Sequence, residues 1–150
     1  MSTPTASQIA DVILVKASKK GQLVSNLKLQ KLLYYVQGHH LAKLGKPAFS
    51  DKIKAWSHGP VVPVVYHRFK AYSWHDIDEI PKDVPHLPEP TNRIINWVLS
   101  RYLGLSGVEL EDMTHAERPW IEARDGYSIG EAVSPEIPIS SIKRFFRKTA

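Results

Sequence analysis

Apolar side chains recur at intervals of three and four along most of this chain, the mark of helices that bury one face. The clearest run is Leu29, Leu32, Leu33, Val36 and His40, with Lys28, Lys31 and Lys43 on the opposite face. Ser25 or Asn26 can cap this helix and Gly45 ends it. Gly38 inside it costs about 1 kcal/mol relative to alanine, so a second backbone is expected to pack close at that point.

The remaining elements follow the same reading. Thr5-Ala6-Ser7-Gln8 is a capping box, predicting a first helix through Ile9, Val12, Ile13 and Lys16, with Gly21 as its stop. Asp51 to Trp56 alternates briefly and predicts one strand at best, followed by a turn over Trp56-Ser57-His58-Gly59-Pro60. Pro63 suits the first position of a third helix whose inner face is Val62, Val65, Tyr66 and Phe69. Residues 73 to 90 contain Pro81, Pro85, Pro88 and Pro90, which excludes a regular element and implies a long surface loop. A fourth helix is predicted from about Thr91 to Leu103, on Ile94, Ile95, Val98, Leu99 and Tyr102. Ser106-Gly107-Val108-Glu109 is a second capping box, opening a short helix through Met113. Pro119 makes His115 to Trp120 a bend, Asp125-Gly126 a turn follows, and Ile139, Ser140, Ile142, Phe145 and Phe146 form a last short helix. The predicted fold is mainly α, α+β at most: a compact bundle of about six helices with one short strand or hairpin. Residues 1–150 are expected to form a single domain.

Composition narrows the chemistry. The absence of cysteine excludes a disulfide framework, a cysteine-based zinc site and a thiol nucleophile. No apolar run approaches a membrane span, and Met1 to Asp11 lacks the pattern of a signal peptide, so the expected location is cytoplasmic, with no membrane partner. A net charge of +5 permits contact with nucleic acid or an acidic protein and proves neither. The tightest basic cluster is Lys143, Arg144, Arg147 and Lys148, which suits phosphates or simply the negative pole of a helix end.

Seven histidines invite a metal or catalytic reading. His39 and His40 are adjacent, so on a helix they diverge by about 100° and do not chelate together. There is no His-Glu-x-x-His and no histidine pair four residues apart, so no metal or other cofactor is expected. His40 reads as a satisfied core or boundary histidine. His58 and His115 would serve as general bases only beside a nucleophile. The favoured reading is that Thr114 and His115 tie down the bend with side-chain to backbone bonds while Trp120 plugs the core. No nucleophile elbow, phosphate-cradling glycine loop or close carboxylate pair is present, so the chain is not expected to be an enzyme.

Four stretches resemble the SocA-like antitoxin family, also called the Panacea domain or phage-associated GepA-like proteins. Leu27 to Gly38 resembles its Leu-Gln-Lys-Leu-Leu-Tyr-Tyr helix. Ala55-Trp56-Ser57-His58-Gly59-Pro60-Val61-Val62-Pro63 is similar to its Ala-Trp-x-x-Gly-Pro-Val-Val-Pro signature, with His58 departing from an aromatic such as tyrosine. Leu110 to Trp120 matches its Leu-x-x-x-Thr-His-x-x-x-Pro-Trp, and Ile142, Phe145 and Phe146 its closing helix. The resemblance implies an antitoxin of a bacterial or prophage-borne toxin–antitoxin system that neutralises a cognate protein toxin by direct contact, or that delivers it as an adaptor to a ClpXP-type protease. The alternative is a nucleic-acid-binding transcriptional regulator, and after it a hydrolase with a scattered site. If the shared motifs define the scaffold, the partner surface lies elsewhere: on the proline-rich loop, exposed helix faces or the ends. The candidate partner-binding residues are His39, His58, Tyr72, Trp74 and His75.

Overall fold

Helix α2, Asn26–Leu44, is the post on which the other elements lean. In the computed structural model, which describes residues 3–149, Ser25 caps it by accepting from the Lys28 backbone, and Gly45 closes it at φ 75°. Helix α1, Ala6–Lys19, precedes it and starts with the expected capping box at Thr5. After α2, β1 (Lys54–Trp56) and β2 (Gly59–Val61) form an antiparallel hairpin, pairing Lys54 with Val61, Ala55 with Pro60 and Trp56 with Gly59. There follow α3 (Pro63–Phe69), a 3-10 turn (Lys70–Tyr72), α4 (Glu89–Tyr102), α5 (Gly107–His115), α6 (Arg118–Ala123) and α7 (Ile139–Thr149). The fold is mainly α with one short hairpin, as expected. Helices α1, α3, α4, α5 and α7 and strand β2 all pack on α2. No helix among the described residues is long and apolar enough to cross a membrane.

The central place of α2 corrects its reading as an amphipathic helix with a basic outer face: of Lys28, Lys31 and Lys43, only Lys43 in the last turn is exposed. Every residue from Leu29 to Leu41 is buried, Lys31 included, and Lys28 is only partly exposed, donating to the Leu103 carbonyl at 2.6 Å. Over that stretch the helix is covered on all sides and leaves no polar face in water, so its polar side chains find partners inside. His40 behaves as expected: Nδ1 donates to the Lys46 carbonyl at 2.6 Å, which fixes the tautomer, and Nε2 accepts from Thr91 at 2.9 Å.

Three local expectations change. The segment around Gly59-Pro60 is a second strand rather than only a turn, and residues 135–137 run along the free edge of β1, with Ala55 donating to Pro135 and Ile137 to Ile53, both at 2.8 Å. Pro119 starts a helix instead of merely bending the chain, because in the first turn of α6 its missing N–H is not needed. Pro90 takes the equivalent place in α4, which therefore begins at Glu89. The long loop is pinned by buried Ile77 and Leu87, and Ile77 donates to the Val24 carbonyl at 2.8 Å.

Gly38 is needed for a side chain, not a backbone. A Cβ there would lie 2.2 Å from Cε2 of Phe146, whose buried ring crosses α2 from α7. Helix propensity favours alanine by about 1 kcal/mol, but overpacking of this kind costs about 1–3 kcal/mol or more. Gly38→Ala is expected to lower unfolding free energy in urea. In a Phe146→Leu background the same change should cost clearly less, because the two side chains share one space. Additive losses would show that the contact is not the cause.

Candidate partner-binding groove

The first two turns of α2, the hairpin, α3 and the segment after it enclose a mostly apolar groove of about 430 Å³. Its floor is built from polar side chains already committed to the scaffold. Gln30 accepts from the Val62 backbone at 2.9 Å and donates to Asn26 Oδ1 at 2.9 Å, while Asn26 donates to the Tyr66 carbonyl at 3.0 Å. These bonds fix the hairpin exit and α3 against α2. Lys31 is fully buried beneath the hairpin and donates to the Pro60 carbonyl at 3.2 Å. Burial lowers its ammonium to about pKa 7, with the Glu111 carboxylate acting in the opposite direction.

The hairpin must approach closely for this to work. Gly59 holds φ 111°, and a Cβ there would sit 2.7 Å from Lys31 Cε and 2.9 Å from Thr114 Oγ1. Trp56 forms one wall, edge-on to Tyr66 with centroids 5.1 Å apart, and its indole donates to Ser134 at 2.8 Å. Behind it, the Trp120 indole donates to the Trp56 carbonyl at 2.8 Å, and the buried Arg124 guanidinium donates to the Ala55 and Glu131 carbonyls at 2.9 and 2.8 Å. Trp120 packs against the core as expected, and Thr114 ties to the Glu111 carbonyl at 2.7 Å. His115 stacks on Trp120 at 4.1 Å and its ring meets the Ser57 backbone, while Nε2 is buried and without a hydrogen-bond partner.

His58 and Trp74 both line this groove. His58, at the exposed hairpin tip, has Nδ1 3.3 Å from a Glu111 carboxylate oxygen. Trp74 is 78% exposed and stacks on His75 at 4.0 Å, so the pair forms an aromatic flap on the rim. It follows Ser73, a non-glycine residue at φ 57°, ψ −124°, a costly conformation that turns the chain there. Tyr72 is half-buried against the core beside Phe69, anchoring the flap rather than extending it. His39 stands apart from these four: it is buried, its Nε2 2.8 Å from the Tyr102 hydroxyl, in a second cavity of about 280 Å³.

The sequence model of the family described as "Antitoxin SocA-like, Panacea domain" matches residues 29–121. The chain belongs to this family. It is also 44% identical over 66 residues to "Antitoxin SocA" of Caulobacter vibrioides (strain NA1000 / CB15N), a match covering 44% of this chain and 35% of the relative. The match thus spans about a third of that relative's length. No solved structure matches the chain. The family region contains the hairpin, most of α2 and all of the flap, so the Gln30, Lys31 and Gly59 scaffold lies within it, as does all of the groove lining except Asn26 and Leu27.

Sequence reasoning missed Asn26, Gln30, Lys31 and Tyr66 as groove residues. Its clearest signal for Lys31 was the Gly59-Pro60 pair, which demands a close neighbour without naming it.

Lys31 generates a pH test. With a folded pKa near 7 against the ordinary 10.5, the unfolded chain binds more protons between those values. Stability therefore rises with pH across that window, by up to about 1.4 kcal/mol per pH unit. Lys31→Met should lose this rise, so that its stability changes less between pH 7 and pH 9 than that of the wild type. Urea denaturation at pH 7, 8 and 9 measures it; parallel curves for the two proteins would refute the assignment.

Proposed function

We propose that this chain is an antitoxin that neutralises a cognate protein toxin by direct binding, acting as a single domain, with the groove and its Trp74–His75 flap as the docking surface. Membership in the SocA-like family and the similarity to Antitoxin SocA support the antitoxin role. The observation that carries the docking surface is Trp74, 78% exposed on the rim of an apolar groove whose polar floor groups already have partners. Such a surface gains by covering an apolar segment of another protein, and an exposed tryptophan beside a pocket is the kind of side chain that dominates interface energy. Binding alone suffices for this role, and delivery of the captured toxin to a ClpXP-type protease would be a further step using the same surface.

The nucleic-acid reading has less to stand on. Of the basic cluster on α7, Lys143 donates to the Gly45 carbonyl at 3.3 Å and Arg144 lies 3.8 Å from Glu122, so half of it is tied to the scaffold.

Co-expression with the product of the adjacent gene tests the proposal. Trp74→Ala is expected to weaken toxin binding by 2 kcal/mol or more, about 30-fold, and to abolish growth rescue with an unchanged melting temperature. Ile129→Ala, at a side chain 99% exposed and away from the groove lining, should do neither. Full rescue and unchanged affinity in Trp74→Ala would remove the groove from the interface, and failure of the wild type to bind any neighbouring product would remove the antitoxin reading.

A further inference from the structure

The second cavity, between α2, α4, α5 and α7, holds a carboxylate that the groove does not use. Glu117 precedes α6, yet its side chain makes no cap bond to that helix. It turns inward, accepting from the Tyr34 hydroxyl at Oε1 (3.0 Å) and from the Tyr35 hydroxyl at Oε2 (2.9 Å). A carboxylate offers about four acceptor positions, so these bonds leave room for further donors. Among the described residues no cation lies within ion-pairing distance of it. Such an arrangement is costly: burial drives the carboxyl up to about pKa 7 in spite of the two hydroxyl donors.

The walls around it are aromatic. Tyr35 stacks on Tyr102 with centroids 4.2 Å apart, and His39 meets Trp97 and Phe146 edge-on at 4.6 and 4.8 Å. His39 supplies no charge, because burial and the nearby Arg101 and Lys43 push it down to about pKa 4. Arg101 lies over the Trp97 and Tyr102 rings at 5.4 and 5.9 Å, at the mouth of the cavity rather than on the carboxylate. A cavity of about 280 Å³ lined by aromatic rings with an unpaired carboxylate inside it is complementary to a cation on an apolar stem.

We propose that this cavity receives a lysine or arginine side chain of a polypeptide partner, seated on Glu117. The stem lies among the rings and the charged head meets the carboxylate. A polypeptide fits better than a free amine, because exposed Trp97 and half-buried Met113 and Phe145 surround the opening with apolar surface that a chain continuing past its basic residue would cover. The site is separate from the groove and does not depend on what binds there.

The test uses blocked pentapeptides, Ala-Ala-Arg-Ala-Ala and the same sequence with citrulline, the neutral isostere of arginine, in place of arginine. Affinity is read by calorimetry and location by the Trp97 indole resonance in NMR. The arginine peptide is expected to shift that resonance and to bind about tenfold or more tighter than the citrulline peptide. Glu117→Gln, which keeps an acceptor for the tyrosines, should erase the difference. Equal binding of the two peptides by the wild type, no binding of either, or a difference that persists in folded Glu117→Gln would each overturn the proposal. The wild-type comparison decides the matter even if the variant fails to fold. A null result here leaves the groove reading untouched, since Trp74 takes no part in this measurement.

Discussion

The polar side chains of α2 from Gln30 to His40 cannot reach water, and the rest of the structure is arranged to meet them. Gln30 holds the Val62 backbone, and Lys31 the Pro60 carbonyl. Tyr34 and Tyr35 hold Glu117. Gln37 accepts from Ala48 and Phe49 and donates back to the Phe49 carbonyl, all within 3.4 Å. His39 pairs with Tyr102, and His40 with Lys46 and Thr91. A buried polar group left without its partner costs about 1–3 kcal/mol. An apolar post would tolerate its neighbours sliding by a turn, whereas each of these bonds needs its partner at one place along the helix.

This explains why two adjoining lengths of one helix build two unlike sites. At the N-terminal end the polar partners are backbone groups of the hairpin and α3, so the bonds are consumed and what remains open above them is apolar: the groove. Further along, the partner is the carboxylate of Glu117, whose bonds to two tyrosines satisfy geometry without neutralising charge. The first surface is suited to covering a nonpolar segment and the second to accepting a cation. Both follow from which groups the chain brings to α2, not from any special feature of the helix itself.

Much of this was legible in the sequence where the determinants are local. Both capping boxes, at Thr5 and Ser106, form as read, because a hydroxyl and an amide or carboxylate three residues apart need only each other. Pro63 opens α3 for the same kind of reason. The reading of α2 failed because periodicity treats lysine as a surface residue, and at Lys31 a long apolar stem and a backbone carbonyl reverse that rule. Gly38 announced a close neighbour but not its nature, since a ring from α7, over a hundred residues away in sequence, fills the space. Glu117 gave no warning: it fell in a stretch that reads as a bend, and only the placement of two tyrosines on α2 turns it inward. Among the candidate partner residues, His58 and Trp74 meet in one groove because the hairpin and the flap face each other across α2, while His39, on the same helix, falls inside.

The wall and the rim of the groove are held very differently, and that difference bears on how partners are chosen. Trp56 is fixed from behind by Trp120, Arg124 and the strand-like run at residues 135–137, so the hairpin cannot be altered without disturbing α6 and the C-terminal segment. The flap is tethered at its base by Tyr72 and at its end by Ile77, and between them Trp74 and His75 touch mainly each other. Substitutions at positions 73–75 therefore change what the groove presents while leaving every bond to α2 intact. A scaffold that separates its stability from its contact surface in this way can exchange partners by small changes on the rim, with the floor and the post behind it left as they are.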